Sequence, residues 1–304
     1  MRQKDISEKL LLDYNDIFSD IVNTLLLDGK ETVDENSLVP AIKRSQFKAD
    51  TGMLHEIERD TAKVWKKGNL ELVLIGIENQ TEPEKYFPMR AIAYDGISYR
   101  SQLVSISEAK RKKTKPIKPY PVLTVVLYFG DDHWDYKKNL KGVLNIPKEF
   151  DKYINDYKVN VIEVAWLPDE VISKFKSDFR YVADYFAKKR IDPDYLPQGS
   201  FTIRHVDAFL KFLATMSGDE TFLKIELEGD ATMDKVGKRL GGKYIDQGIE
   251  QGIVQGIEQG IEQGKAQLIL TMLEKGKTPQ EISDLCDIPV ENILKVQEER
   301  LQKA

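Results

Sequence analysis

The chain has 304 residues, 41% of them hydrophobic, and a formal net charge of -5. That is enough for a sizeable core but too acidic for a general nucleic-acid coat, so any such partner needs a local basic surface. A single cysteine, Cys286, excludes an internal disulfide and cysteine-rich zinc sites, and three scattered histidines (His55, His133, His205) argue against a histidine zinc cluster, leaving a carboxylate-held divalent ion open.

The opening MRQKDISEKL has no hydrophobic signal core, and no apolar run approaches ~18 residues. The expectation is a soluble, cytoplasmic chain with no membrane partner. Residues 13–28 place Ile17, Phe18, Ile21, Val22, Leu25 and Leu26 at helical spacing, and Gly29 closes the run. Residues 60–66 predict a strand, KGN at 67–69 a hairpin turn, and 70–80 a second strand. The middle of that second strand is apolar on both faces, as inside a sheet covered by helices. PMRAIAYDGISYRSQL (88–103) predicts a helix despite Gly96, with Pro88 near its first turn. A basic run follows, KRKKTKPIK at 110–118. YPVLTVVLYFG (120–130) reads as a third strand and VNVIEVAWL (159–167) as a fourth. A long helical pattern runs from 168 to about 190, and a further helix spans about 202–216. Helices and strands alternate without tandem repeats, which places residues 1–225 in one α/β domain.

The tail differs. Within 226–268, residues 247–264 repeat a four-residue unit with Gly248, Gly252, Gly256, Gly260 and Gly264. A period of four lies close to 3.6, so this is either a helix with a drifting glycine row or a flexible linker. Residues 269–304 resemble a small helix-turn-helix, in which Thr278 caps a helix carrying Ile282 and Leu285, and Val290, Ile293 and Val296 pack the next. Glu291, Glu298 and Glu299 against Lys295, Arg300 and Lys303 leave that second helix less basic than groove reading needs, which favours a helical hairpin without a DNA role.

The stretch LVLIGIENQT (72–81) ends a buried strand in Glu78, Asn79 and Gln80. Reflection through a turn centred near 68.5 or 69 sets residue 60 opposite 77 or 78, so Asp60 lies beside Glu78. Gln80 shares the face of Glu78. Two carboxylates in a partly desolvated place repel each other, so one takes up a proton or a cation sits between them. An oxygen-rich, sulfur-free site favours Mg²⁺ or Mn²⁺. The plain alternative is a polar strand end with incidental acids, and the residues alone leave both open.

Asp60, a hairpin, then Glu78-Asn79-Gln80 resembles the PD-(D/E)XK nuclease motif, with Gln80 where Lys usually stands. The blocks ERDTAKVWKKGN, LIGIENQTEPEKYFPMRAIAYDGISYR, YPVLTVVLYFG and VIEVAWLPDE follow in the order of one family. They resemble the Rpn group of recombination-promoting nucleases, also called YhgA-like transposases, over roughly residues 10–220, and the Gly-Ile-Glu-Gln tail is typical of that group.

The resemblance implies a restriction-endonuclease-like α/β core, a mixed sheet flanked by helices, with a helical C-terminal tail. It implies a metal-dependent DNA endonuclease that hydrolyses phosphodiester bonds and is linked to recombination or mobile elements. Asp60 and Glu78 would be ligands of Mg²⁺ or another hard divalent cation, and Gln80 the third catalytic residue. The fold often adds an acid from the first helix, a place that Asp20 or Asp16 fits, although each also reads as an exposed helix-face acid. Arg90 and the run Lys110, Arg111, Lys112 and Lys113 would contact DNA, or else are solvated. Cutting both strands needs two sites, which implies a homodimer or higher homo-oligomer, with the tail as its interface. The missing Lys leaves a second reading, a catalytically weak or inactive DNA-binding or assembly protein that keeps the nuclease fold.

Overall fold

The computed structural model describes residues 11–41, 44–48, 54–227 and 231–301; the opening decapeptide considered for a signal segment lies outside them. Its elements are α1 (Asn15–Leu26), β1 (Leu38–Pro40), β2 (Arg44–Lys48), β3 (Leu54–Glu58), β4 (Thr61–Lys67), β5 (Leu70–Gln80), α2 (Phe87–Arg111) and β6 (Val122–Tyr128). They continue as α3 (Leu140–Val143), β7 (Asn160–Glu163), α4 (Asp169–Ile172), α5 (Phe179–Ile191), α6 (Val206–Ser217), α7 (Met233–Glu274), α8 (Pro279–Cys286) and α9 (Val290–Leu301). No described helix is long and apolar enough to cross a membrane. The chain divides into two compact units, Met1–Leu240 and Gly241–Ala304.

The first unit is α/β. Its five-stranded mixed sheet has the order β1-β4-β5-β6-β7, antiparallel from β1 to β5 and parallel from β5 to β7, and β2 and β3 form a separate antiparallel pair. β5 is central, which is why its middle is apolar on both faces. On one face α2 packs through Phe87 and Ala91 against Val126 and Tyr128, with Trp134 and Val159 closing the cluster. On the other, Phe129 packs edge-on to Phe186 of α5 and Phe212 of α6, with ring centroids 4.9 and 5.6 Å apart.

Three sequence expectations are revised. The helix after β5 continues to Arg111, so the basic run begins inside its last turn, where cations favour the carbonyl end of a helix. The fourth strand is short, because Val164–Trp166 turn into a 3-10 helix. The pattern from 168 to 190 is broken into α4 and α5. At the break, the amides of Lys176 and Ser177 donate to Asp20 Oδ2 of α1 at 2.9 and 2.7 Å, and so are not available to a continuous helix.

In the second unit the glycine repeat is helical throughout, within α7. Ile269, Ile282 and Ile293, one from each of α7, α8 and α9, make a small core, flanked by Met272, Leu273, Cys286, Ile288 and Val296. Thr278 caps α8 in a reciprocal box: its hydroxyl accepts from Glu281 N, and Glu281 Oε2 accepts from Thr278 N at 2.9 Å. Leu285 does not pack as expected and is 65% exposed.

Candidate active site

The hairpin of β4 and β5 sets which residues meet. Trp65 pairs with Val73 but Lys66 pairs with Glu71, so Leu72 is an extra residue, a β-bulge. Past the bulge Thr61 pairs with Ile77, and the next step places Asp60 beside Glu78 on one face. Without it Asp60 would face Ile77, so a single inserted residue brings the two carboxylates together. Asp60 is held against β5 by the backbone N–H of Asn79, which donates to Oδ2 at 2.8 Å. The side chain of Asn79 lies on the opposite face, buried, and its amide finds no partner among the described residues.

Glu78 is 0% exposed, and neither carboxylate oxygen has a hydrogen-bond partner among the described residues. Its nearest cation is Arg90 of α2, whose Nη2 stands 3.7 Å from Oε2. Burial first, and the Asp60 charge second, push the Glu78 carboxyl up to about 8, against the opposing pull of Arg59 and Arg90. The Tyr94 hydroxyl beside them is raised to about 12 by burial and then by the charge of Glu78. Arg90 is shared, since its Nη1 pairs with Glu84 and its guanidinium lies over Phe87 and Tyr94, 4.7 and 5.7 Å from their ring centroids. Gln80 ends β5 on the Glu78 face, half-buried, with its backbone oxygen taken by Phe129 N at 2.8 Å.

The structure thus gathers Asp60, Glu78, Gln80 and Arg90. It does not gather the basic run. Lys110, Arg111, Lys112 and Lys113 are exposed at the opposite end of α2. Twenty helical residues separate Arg90 from Lys110, a distance of about 30 Å. Neither α1 acid completes the pair. Asp20 also accepts from Ser177 Oγ at 2.6 Å, and Asp16 is bound by His205 Nε2 and Arg204 Nη1 at 2.9 and 3.0 Å. No group of three or more metal-ligating side chains occurs among the described residues. A hard cation held by Asp60 and Glu78 would therefore take its other ligands from carbonyl oxygens, water or substrate. The orphaned Glu78 carboxylate fits that role.

Sequence reasoning missed the support beneath this pair. Arg59, next to Asp60, runs across Gly76 of β5; a Cβ on Gly76 would lie 1.9 Å from Arg59 Nη1. Arg59 Nη2 donates to Asp95 Oδ1 at 2.6 Å and Nη1 to Thr124 Oγ1 at 2.8 Å. Thr124 Oγ1 donates to the same Asp95 oxygen at 2.6 Å, and the Tyr157 hydroxyl donates to the other. The available signals were a glycine in mid-strand and an aspartate at helical spacing from Ala91, next to Tyr94.

The raised Glu78 carboxyl has a consequence for stability. Its folded value, about 8, lies above its ordinary 4.5, so between those pH values the folded state binds a proton that the unfolded state does not. The stability it contributes is full below about pH 4.5 and lost as pH rises towards 8. In metal-free buffer Tm should fall across that window, and Glu78→Gln should remove the fall. Differential scanning calorimetry checks this, and parallel pH profiles for the two proteins would reject it.

Compared with known proteins, the chain matches no family model, no curated protein and no solved structure.

Proposed function

We propose that the chain is a divalent-metal-dependent DNA endonuclease built on a restriction-endonuclease-like core. The supporting observation is Glu78, a fully buried carboxylate with neither oxygen hydrogen-bonded among the described residues, set beside Asp60. A fold retains such a group where something compensates it, and Mg²⁺ or a similar hard cation suits two carboxylates. When bound, that ion supplies an acidified water and neutralises charge on the phosphate. The chain's residues do the positioning. Asn79 N–H fixes the Asp60 carboxylate, and the bulge at Leu72 fixes its register against Glu78. Gln80 can orient a water or donate to a phosphoryl oxygen, but an amide cannot take a proton. Arg90, braced by Phe87 and Glu84, supplies the positive charge that a lysine at position 80 would have provided. Supercoiled plasmid should be nicked and linearised in Mg²⁺ or Mn²⁺ and left intact in EDTA. Gln80 in place of Lys favours the second reading, a binding protein that has kept the fold; retention of DNA without cutting in any divalent ion would establish that instead.

The same reading calls for two sites, and α7 offers the means for a second copy to pair. Gly248, Gly252, Gly256, Gly260 and Gly264 have open space where a Cβ would stand. Beside them Ile249, Ile253, Ile257 and Ile261 are all more than half exposed. Rows at every fourth residue form a ridge next to a groove, and two such helices interdigitate at a crossing of about -50°. Helices crossing so steeply touch over a few turns only. The repeat departs from its pattern at Val254, which stands where the other units carry Glu250, Glu258 and Glu262, so a crossing centred there would bring no like charges together. Val254→Glu restores the repeat and does not weaken the helix. It should weaken self-association at least about a hundredfold by sedimentation, because like charges then meet at the crossing.

A further inference from the structure

After β6 the chain bends at Asp131 and Asp132 and carries His133 beside β7. The His133 ring stacks on Trp166, with centroids 3.7 Å apart and planes 25° from parallel. The Arg190 guanidinium carbon also lies 3.7 Å from the Trp166 ring. Two groups at that distance cannot share one face of an indole, so Trp166 is sandwiched between them. Each layer is pinned. Trp166 Nε1 donates to Asp131 O at 3.1 Å, and Arg190 Nε donates to Ala165 O at 2.9 Å. His133 Nδ1 bonds Glu163 Oε2 at 2.6 Å, while Lys138 Nζ donates to Glu163 Oε1 at 2.7 Å. The His133 side chain is nevertheless 63% exposed. With one face on Trp166 and one edge on Glu163, that exposure belongs to the other face, so an ordered column ends in an open aromatic surface.

The column stands on the edge of the sheet that carries the carboxylates. Gln80, Tyr128 and Glu163 are in register across β5, β6 and β7. Registered partners on parallel strands share a face, and two strand spacings separate Glu163 from Gln80 by about 10 Å. Trp134, the residue after His133, packs edge-on to Phe87, the same ring that braces Arg90.

The geometry points to an unpaired DNA base as the next layer of this column, stacked on His133 at the sheet edge two strands from Gln80. This subsite rests on the nuclease reading above for its substrate. A phosphate is a poorer occupant, because Asp131, Asp132 and Asp135 flank His133 in the same loop. A base carries no charge, and a single base–aromatic stack changes affinity by about tenfold or more. Within a duplex both base faces are already covered, so the subsite selects a nucleotide that is unpaired or flipped out.

The test is binding without divalent ions, where cutting does not interfere. Fluorescence anisotropy would compare the full chain on a labelled thymidine oligomer of about 20 nucleotides and on a duplex of equal length. His133→Ala should weaken oligomer binding about tenfold and leave duplex binding unchanged. His133→Phe, which can stack but not hydrogen-bond, should bind like wild type, and His133→Gln should behave like His133→Ala. Circular dichroism checks that each variant is folded. Unchanged binding by His133→Ala, rescue by Gln but not Phe, or no oligomer binding by wild type would each overturn the subsite while leaving the nuclease reading intact. A wild type that never cuts DNA, yet shows the His133 pattern, would remove the nuclease reading and keep the subsite.

Discussion

Glu78→Ala and Asp60→Ala should each reduce Mg²⁺-dependent plasmid nicking on the order of a thousandfold or more. The size follows from what each side chain does. Partners that merely orient metal ligands are worth about 10–100-fold, and a direct ligand contributes more. The two variants are expected to differ in stability. Glu78→Ala removes a buried carboxylate that has no hydrogen-bond partner among the described residues, so metal-free protein should be at least as stable at pH 8 despite the cavity left behind. Asp60→Ala removes the acceptor of the Asn79 N–H and should lower Tm. Gln80→Ala should cost only about tenfold, as expected for a group that orients rather than ligates. Nicking that survives both carboxylate substitutions would place the chemistry elsewhere.

The pairing of Asp60 with Glu78 was legible because turn position and strand alternation are local. A KGN turn between apolar runs limits the register to two choices, and both place Asp60 near Glu78. The choice between them lay in the bulge at Leu72, for which the sequence carries no sign, because Leu72 is as apolar as its neighbours. The extent of α2 was under-read because its last turns carry only Val104, Ile106 and Ala109 as apolar residues, and the long-range partner of Gln102, the backbone of Tyr120, does not show in a periodic pattern. The break between α4 and α5 was invisible for the same reason. It depends on Asp20, more than 150 positions away, taking amides that a continuous helix would have used. The distance of about 30 Å between the basic run and the carboxylates was not legible either, because charge composition says nothing about which end of a helix faces the site. Arg59 was passed over because a charged residue ahead of a strand usually lies in solvent.

Breaking the Arg59–Asp95 pair should have a large effect on stability. Both residues are 3% exposed, and removing one partner of a buried pair leaves an uncompensated charge at a cost of about 3–5 kcal/mol. Asp95→Ala should therefore destabilise by that amount in urea denaturation, and Arg59→Ala by a similar amount. The double variant should cost far less than the two together, because neither charge is then stranded. Gly76→Ala reaches the same contact from the other side. A guanidinium can usually swing away from an added methyl, but this one is tied to Asp95 and Thr124, so relief of the clash breaks those bonds. The network also bears on the site, because Arg59 is covalently joined to Asp60 and its anchored end limits where that carboxylate can move. Replacing the pair with apolar residues, Arg59→Met with Asp95→Leu, separates the two roles. If stability recovers while nicking stays low, Arg59 positions Asp60 as well as holding the fold. If both recover, the bulge and the Asn79 N–H suffice to place Asp60, and the buried ion pair serves folding alone.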